Sequence, residues 1–178
     1  PSDRIYIKRW LEVFKHNQFQ EGRDYQFLYY GGRLLSHYEA RTEGGIDGLV
    51  SILTTNRNAI IVMDSDKRYR SASINSTKKR IREELETAGF MCWVTKGKEI
   101  ENYLTARSIN EAYNCKLRKD IGMYELFPEY VQKIIPGFAS QKVLVAKKIA
   151  PYITDKDALY DLKQQIGLLY KNIKKWNE

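Results

Sequence analysis

The sequence predicts an α/β fold in which a mainly parallel sheet is flanked by helices and followed by a helical C-terminal part. Three observations lead to this prediction. Residues 59–63 form a continuous apolar run that ends abruptly in acids, which is typical of a strand buried on both faces of a parallel sheet. Residues 58–95 follow the order strand, helix, strand. From about residue 108, apolar residues recur at helical spacing between isolated prolines.

Composition limits the classes of function. The chain has 178 residues, a net charge of +8 and a pI of about 9.4, which favours a polyanionic partner such as nucleic acid. Cys92 and Cys115 lack metal-ligand spacing and are expected to be reduced thiols of a cytoplasmic protein. No apolar run approaches the roughly 18 residues of a membrane span, so no membrane partner is expected. A glycine-rich phosphate loop is also absent from the sequence, so this chain alone is not expected to hydrolyse ATP.

The elements before residue 58 are predicted from short patterns. Ile7, Leu11 and Phe14 lie at helical spacing and indicate an N-terminal helix. The following predictions are a strand at 25–30, a turn at Gly31-Gly32, a short helix or irregular segment at 34–41, and a helix at 46–53.

The central unit is predicted with more detail. A strand at about 58–63 leads into a basic loop at 67–74, a helix that Gly89 ends, and a second strand at 90–95. A strand, helix and strand in this order form a βαβ unit with parallel strands. The carboxyl ends of both strands should therefore meet at one edge of the sheet.

The sequence is interpreted as one domain with two parts. Residues 1–107 are predicted to form the α/β core, with its first strand missing, and residues 108–178 a helical extension packed on the same domain. Apolar stripes at 143–150 and 159–176 are typical of helices that contribute to a core.

Two acids directly follow the central strand. Asp64 and Asp66 stand at a strand end, where α/β proteins commonly place their sites. Neighbouring carboxylates repel each other unless a cation lies between them, and oxygen ligands of this kind suit Mg²⁺ or Mn²⁺. The alternative interpretation is an Asp-Ser-Asp turn that caps the next helix.

Further charged residues follow each strand. In the loop after the first strand, Lys67, Arg68 and Arg70 are candidates for contact with a phosphate backbone, and a plain solvated loop is the alternative. The second strand is followed by two acids and two lysines, a mixture that phosphoryl-transfer sites need. These residues are Lys96, Lys98, Glu99 and Glu101. The alternative for this segment is an exposed helix start with glutamates near its positive end.

Taken together, these segments resemble the Toprim domain in the version carried by OLD-family ATP-dependent nucleases. Asp64-Ser65-Asp66 is similar to the Asp-x-Asp element of that family, and residues 98–104 resemble its Glu-Ile-Glu-Asn-Tyr-Leu segment, the most specific match. Similarity extends to further segments in the family's order: Pro1-Ser2-Asp3, Gly31-Gly32, the lysine and apolar helix at 142–150, and the Ile-x-x-Trp-Asn at 173–177.

The resemblance implies a nuclease module that cleaves or nicks DNA with two divalent metal ions, an activity that in this family is often linked to phage defence. It implies metal ligation by Asp64, Asp66, Glu101 and Glu99, with Asp3 supporting the site. Lys142 would stabilise the transition-state phosphate, with Lys96 as the second candidate, and Lys98 would contact nucleic acid. The implied partners are DNA, an N-terminal ATPase domain of the parent protein, and further copies of the chain assembled through that parent.

The resemblance also leads us to expect that this chain is a C-terminal fragment. The family pattern begins with a strand that ends in Glu-Gly, and this element would lie just before Pro1. Two other classes of protein fit part of this pattern. A non-catalytic Toprim-like module that binds nucleic acid or a partner subunit remains open, because the Glu is missing from this sequence. A phospho-acceptor receiver domain also places acids at strand ends, but no receiver-type lysine stands near a final strand.

Overall fold

The computed structural model describes residues 2–16, 18–28 and 58–178. Within these ranges the chain forms six α-helices and a two-stranded parallel sheet, so the predicted α/β class is confirmed at that level. The helices are α1 (Ser2–Lys15), α2 (Ser76–Thr87), α3 (Ala106–Tyr113), α4 (Phe127–Val131), α5 (Phe138–Ile149) and α6 (Leu162–Asn177). The strands are β1 (Ile60–Met63) and β2 (Met91–Val94), and short 3-10 helices span Ile100–Tyr103 and Ala150–Tyr152.

The predicted βαβ unit is present. Strands β1 and β2 pair in parallel with Ile60 opposite Met91 and Met63 opposite Val94, and α2 connects them. Asn75 caps α2 through a side-chain oxygen that accepts from the Thr77 N–H at 2.8 Å. The Asp-Ser-Asp turn therefore does not cap this helix, and that alternative interpretation is wrong.

Apolar side chains cover β1 on both faces. Ile60 and Val62 pack against the main core, whereas Ile61 and Met63 pack against the buried Ile81 and Leu85 of α2. This alternation follows from the two-residue period of a strand, which sends successive side chains to opposite faces. The strand residues themselves are only partly buried in the described structure, rather than fully buried as the sequence suggested.

One core joins the two predicted parts of the chain. It includes residues of α1, β2, α5 and α6, which lie on both sides of position 107, and α1 lies against α5 and α6. Its centre is aromatic: the Tyr103 ring lies 6.1 Å from that of Trp10 and 5.9 Å from that of Trp93. The 98–104 segment is therefore anchored directly in this core.

Several predicted elements differ from the structure or lie outside it. Residues 25–28 form no strand, although Tyr25 makes an isolated bridge to Glu21. Tyr29, Tyr30, the Gly31-Gly32 turn and the elements predicted at 34–41 and 46–53 lie outside the described residues. The larger parallel sheet and the Toprim-like detail therefore stay predictions. None of the helices in the described ranges is long and apolar enough to cross a membrane.

Candidate functional site

The carboxyl ends of the two strands are tied together. Ser65 is buried, and its hydroxyl donates to the Gly97 carbonyl at 2.6 Å while its N–H donates to the Thr95 hydroxyl at 2.9 Å. A Cβ at Gly97 would lie 2.7 Å from the Asn102 Cβ, closer than atoms can approach, so this position requires glycine. These contacts hold the segments after β1 and β2 side by side, as a parallel pair predicts.

Asn102 holds the second of these segments in place. Its side chain is completely buried, accepts from the Glu99 N–H at 2.9 Å, and donates to the carbonyls of Gly122 and Glu125 at 2.9 and 3.0 Å. Glu99 is the N-cap of the 3-10 helix Ile100–Tyr103 and forms a capping box with Asn102. The alternative interpretation of this segment as a helix start is thus partly correct, but the helix is buried rather than exposed.

Four acids and one lysine gather at this edge, and we call them the acidic cluster. They are Asp3, Asp64, Glu99, Glu101 and Lys142. The Asp64 carboxylate accepts from the Ile100 N–H at 2.8 Å, next to both glutamates in the chain. The Lys142 Nζ lies 3.4 Å from Glu99 Oε2 and 3.5 Å from Glu101 Oε1. Asp3 joins the cluster through its charge, which acts on both Asp64 and Glu101.

The environment of the cluster disfavours ionised carboxylates. Burial, followed by the charge of Asp3, raises the pKa of Asp64 to about 7. Burial also raises the pKa of Glu101 to about 7, although the nearby Lys142 ammonium acts in the opposite direction. Burial by itself would lower the pKa of Lys142, but the charges of Glu101 and Glu99 outweigh it and raise that pKa. Asp64 and Glu101 are therefore expected to titrate near neutral pH in the metal-free chain.

Asp66 has a different environment from Asp64. Its carboxylate is 64% exposed and forms an ion pair with Lys78, which also donates to the Asp64 carbonyl at 2.8 Å. The Asp66 backbone lies in the left-handed region at φ 53°, and its N–H donates to the Lys98 carbonyl at 2.9 Å. The two acids of the Asp-x-Asp element thus have separate partners.

The remaining predicted residues lie around this edge. Lys96 is exposed, and its backbone N–H donates to the Tyr103 hydroxyl at 2.9 Å, so Lys142 and not Lys96 contacts the acids. The Lys98 backbone N–H donates to the Met123 carbonyl at 2.8 Å. The loop residues Lys67, Arg68 and Arg70 form no ion pair with any acid of the described ranges, and Arg68 and Arg70 are exposed.

The donor atoms of the cluster fit a divalent cation chemically, but they do not form a finished cage. Among residues 2–16, 18–28 and 58–178, no three His, Cys, Asp or Glu side chains are arranged to hold a metal ion. The cluster nevertheless offers carboxylate oxygens, the ligands that Mg²⁺ and Mn²⁺ prefer. The buried Glu101 Oε1 has no hydrogen-bond partner, because its 3.5 Å contact with Lys142 is an ion pair without hydrogen-bond geometry. An unpaired buried oxygen of this kind is the group that a cation would satisfy.

Two groups at this edge, the Lys78 ammonium and the backbone amide of Ile100, were not predicted from the sequence. Lys78 could have been recognised from the sequence, because it lies in the first turn of a helix, where a cation is unfavourable unless an acid pairs with it. No sequence pattern marks the Ile100 amide, because its role depends on how the two strand ends meet.

No protein-family model, curated protein or solved structure matches this chain. A function can therefore be inferred only from the geometry of the acidic cluster and from the resemblance to the Toprim domain.

Proposed function

We propose that this chain is the nuclease module of an OLD-type ATPase-nuclease and hydrolyses phosphodiester bonds of DNA with a divalent metal ion. The observation that carries the proposal is the convergence of Asp3, Asp64, Glu99 and Glu101 from three distant segments at one edge of the parallel strands. Glu101 is buried, Asp64 and Glu99 are partly buried, and Asp3 is exposed. Partly desolvated carboxylates this close together are costly to keep ionised unless cations balance them. Proteins are expected to keep such an unfavourable arrangement of carboxylates where it serves catalysis.

The acids of the cluster would hold the Mg²⁺ or Mn²⁺ ion. When bound, such an ion supplies charge stabilisation for the phosphate and lowers the pKa of water. The chain's own residues supply the rest. In the metal-free chain burial raises the pKa values of Asp64 and Glu101 to about 7, so binding of the cation at neutral pH would displace protons from them. The Lys142 ammonium, held beside Glu99 and Glu101, can neutralise charge that develops on the phosphate.

The loop after β1 is proposed to bind the DNA backbone. It begins directly after Asp66 and carries Lys67, Arg68 and Arg70, together with Tyr69, whose side chain is 61% exposed. These cations have no acidic partner in the described ranges and so remain available for phosphates. Lys98, from the adjacent strand end, would extend the same contact.

Replacing Lys67, Arg68 and Arg70 together with alanine is expected to weaken DNA binding equally for all sequences. The logarithm of the DNA-binding constant falls linearly with the logarithm of the salt concentration, and each lost phosphate contact should reduce the steepness of this line by about one. For three residues the magnitude of the slope should therefore decrease by about three. Fluorescence anisotropy with a labelled duplex at several salt concentrations measures this. The matched control replaces Lys116, Arg118 and Lys119, which are exposed on another loop. If the control variant loses as much DNA affinity, the effect comes from the lower net charge and the proposed contacts of this loop are contradicted.

The wider setting of the proposal follows the resemblance. The chain would work beside an N-terminal ATPase domain of its parent protein, in the cytoplasm, with homo-oligomers formed through the parent. A role in phage defence accords with a DNA-cleaving activity.

Nicking of supercoiled plasmid tests the proposal. The chain and the full-length product of its gene are incubated with plasmid in the presence of Mg²⁺, Mn²⁺ or excess EDTA. Nicked product is expected with either metal ion and not with EDTA. Equal nicking with EDTA, or no nicking by the full-length protein under any metal condition, would contradict the proposal.

One observation favours a second candidate, a module that binds nucleic acid or a partner subunit without catalysis. Lys142 contacts Glu99 and Glu101, and Lys78 contacts Asp66, so these acids have counter-ions without any metal. Titration calorimetry with Mn²⁺ separates the two candidates. The nuclease requires heat of metal uptake that disappears in Asp64→Asn, whereas the binding module requires none.

A further inference from the structure

The two oxygens of the Glu99 carboxylate both have partners within the chain. Oε1 accepts from the backbone N–H of Phe127, the first residue of α4, at 3.2 Å, and Oε2 accepts from the Lys142 ammonium at 3.4 Å. Only 16% of the Glu99 side chain is exposed, so these contacts are largely shielded from solvent. One carboxylate therefore joins the segment after β2 to the start of α4 and to α5.

Glu101, two residues further along the chain, is placed differently. Its side chain is only 1% exposed, and its Oε1 makes no hydrogen bond, since the Lys142 Nζ at 3.5 Å forms an ion pair without hydrogen-bond geometry. A buried oxygen without a partner is unfavourable, because it has lost its water and gained nothing in exchange. Of the two glutamates, Glu101 is thus the one with an oxygen left for a further ligand.

Lys142 is held from two sides. Its Nζ lies beside both glutamates and 5.5 Å from the centre of the Phe138 ring, which precedes it by one turn of α5. The face of an aromatic ring attracts a cation at this distance. The Lys142 side chain is 38% exposed, more than that of either glutamate. The ammonium therefore has a defined position and still reaches the solvent, from which a phosphate would approach.

These contacts divide the two glutamates by role. The Glu99 carboxylate is occupied by an α4 amide and by Lys142, whereas Glu101 retains an unpaired oxygen. We propose that Glu99 is a positioning residue that holds the Lys142 ammonium and is not a metal ligand, so that Glu101 alone of the two glutamates ligates the cation. The inference rests on the proposed function and removes Glu99 from the ligands that the resemblance implies.

Binding of Mn²⁺ to two matched variants tests this division. Glu99→Gln and Glu101→Gln remove the same charge from the acidic cluster, so a difference between them reports ligation and not net charge. Calorimetry is expected to show that Glu101→Gln weakens Mn²⁺ binding at least about 10-fold more than Glu99→Gln does. At saturating Mn²⁺, Glu99→Gln should still nick plasmid at least about 10-fold more slowly than the wild type, because a displaced ammonium no longer meets the phosphate.

The position of Lys142 is measured separately, in the metal-free chain. Glutamine at position 99 keeps an oxygen for the Phe127 N–H, but its amide NH₂ cannot accept from an ammonium. Acetylation of Lys142 by acetic anhydride, followed by mass spectrometry, should therefore be about 3-fold faster in Glu99→Gln.

Glu125→Gln is the matched control for both measurements. Glu125 also accepts from a backbone N–H, that of Gly122 at 2.8 Å, and its Oε1 lies 3.8 Å from the Nζ of Lys119, but it is exposed and outside the acidic cluster. This variant should change neither Mn²⁺ binding nor the acetylation of Lys142.

The outcomes separate this inference from the proposed function. Equal losses of Mn²⁺ binding in the two glutamine variants, or unchanged acetylation of Lys142 in Glu99→Gln, overturn the inference and leave the nuclease proposal standing. No Mn²⁺ uptake by the wild type contradicts the nuclease proposal and the assignment of Glu101 as a ligand, and the acetylation rate then still decides whether Glu99 holds Lys142.

If circular dichroism shows that Glu99→Gln does not fold, Glu99→Asp takes its place. Aspartate is a favoured residue at the N-cap position that Glu99 occupies, and its shorter side chain cannot reach Lys142. Mn²⁺ binding close to that of the wild type, with faster acetylation of Lys142, is then expected. Loss of Mn²⁺ binding in this variant, or unchanged acetylation, overturns the inference.

Discussion

Replacing Asp64 with asparagine is expected to lower metal-dependent nicking at least about 100-fold, equivalent to ~2.7 kcal/mol of transition-state stabilisation. Asp64 is the first acid after β1 and lies beside Glu99 and Glu101, so its charge is central to cation binding. Asparagine keeps the oxygen that accepts from the Ile100 amide. The loss should therefore appear in the rate of nicking and not in the fold.

The measurement is the initial rate of plasmid nicking in Mn²⁺, with circular dichroism to establish that the variant is folded. Asp155→Asn is the matched control, because Asp155 is exposed and lies outside the acidic cluster. Its rate should equal that of the wild type. Full activity in Asp64→Asn would remove the basis of the nuclease proposal.

The metal-free chain is expected to be less stable at pH 8 than at pH 5. The pKa values of Asp64 and Glu101 are raised to about 7 in the folded state, whereas unfolded acids titrate near pH 4. Between these values the folded state binds more protons, so the free energy of unfolding falls as pH rises. The stability that these two acids contribute is fully present below about pH 4 and is lost as the pH rises through 7.

The expected loss between pH 5 and pH 8 is about 5 kcal/mol for the two acids together, since about two pKa units of each shift lie in this range and each unit corresponds to ~1.4 kcal/mol. A change of this size lowers the thermal midpoint by roughly 10–20 °C in a chain of this length. Thermal unfolding followed by circular dichroism from pH 5 to pH 8 measures it. Saturating Mn²⁺ should recover stability at pH 8 more than at pH 5, because the cation binds the ionised carboxylates.

The double variant Asp64→Asn with Glu101→Gln is the control for this titration. It removes both raised pKa values and should make the thermal midpoint nearly independent of pH between 5 and 8. Asp157 does not interfere in this range. Its own burial is outweighed by hydrogen bonds from Arg107, Thr105 and Thr154, which lower its pKa, so its contribution is lost only in acid. An unchanged pH dependence in the double variant would show that other groups cause it.

Local patterns predicted the βαβ unit correctly because they act over short distances. The apolar run before Asp64 and the glycine after α2 depend on neighbouring residues alone. The meeting of Asp64 with Glu99 and Glu101 could also be anticipated, since parallel strands bring their carboxyl ends to one edge. The strand at 25–30 was overpredicted for residues 25–28, where β-forming residues make only an isolated bridge.

Other features depended on contacts between distant residues. No local pattern places Lys142 beside Glu101, because 41 positions separate them and the packing of α5 brings them together; only the resemblance assigned both residues to one site. The pairing of Asp66 with Lys78 needed the left-handed backbone at Asp66 and the start of α2 at Ser76. Each of these contacts is a property of the folded chain.

The sequence by itself determined which acids follow the two strands and that their ends share one edge. The tertiary structure alone decided that Asp64 and Glu101 are desolvated while Asp66 is exposed and paired with Lys78. The physical reason is that the alternation of side chains along a strand and their periodic recurrence along a helix follow from local backbone geometry. Burial and charge pairing depend on which distant segments the core brings together.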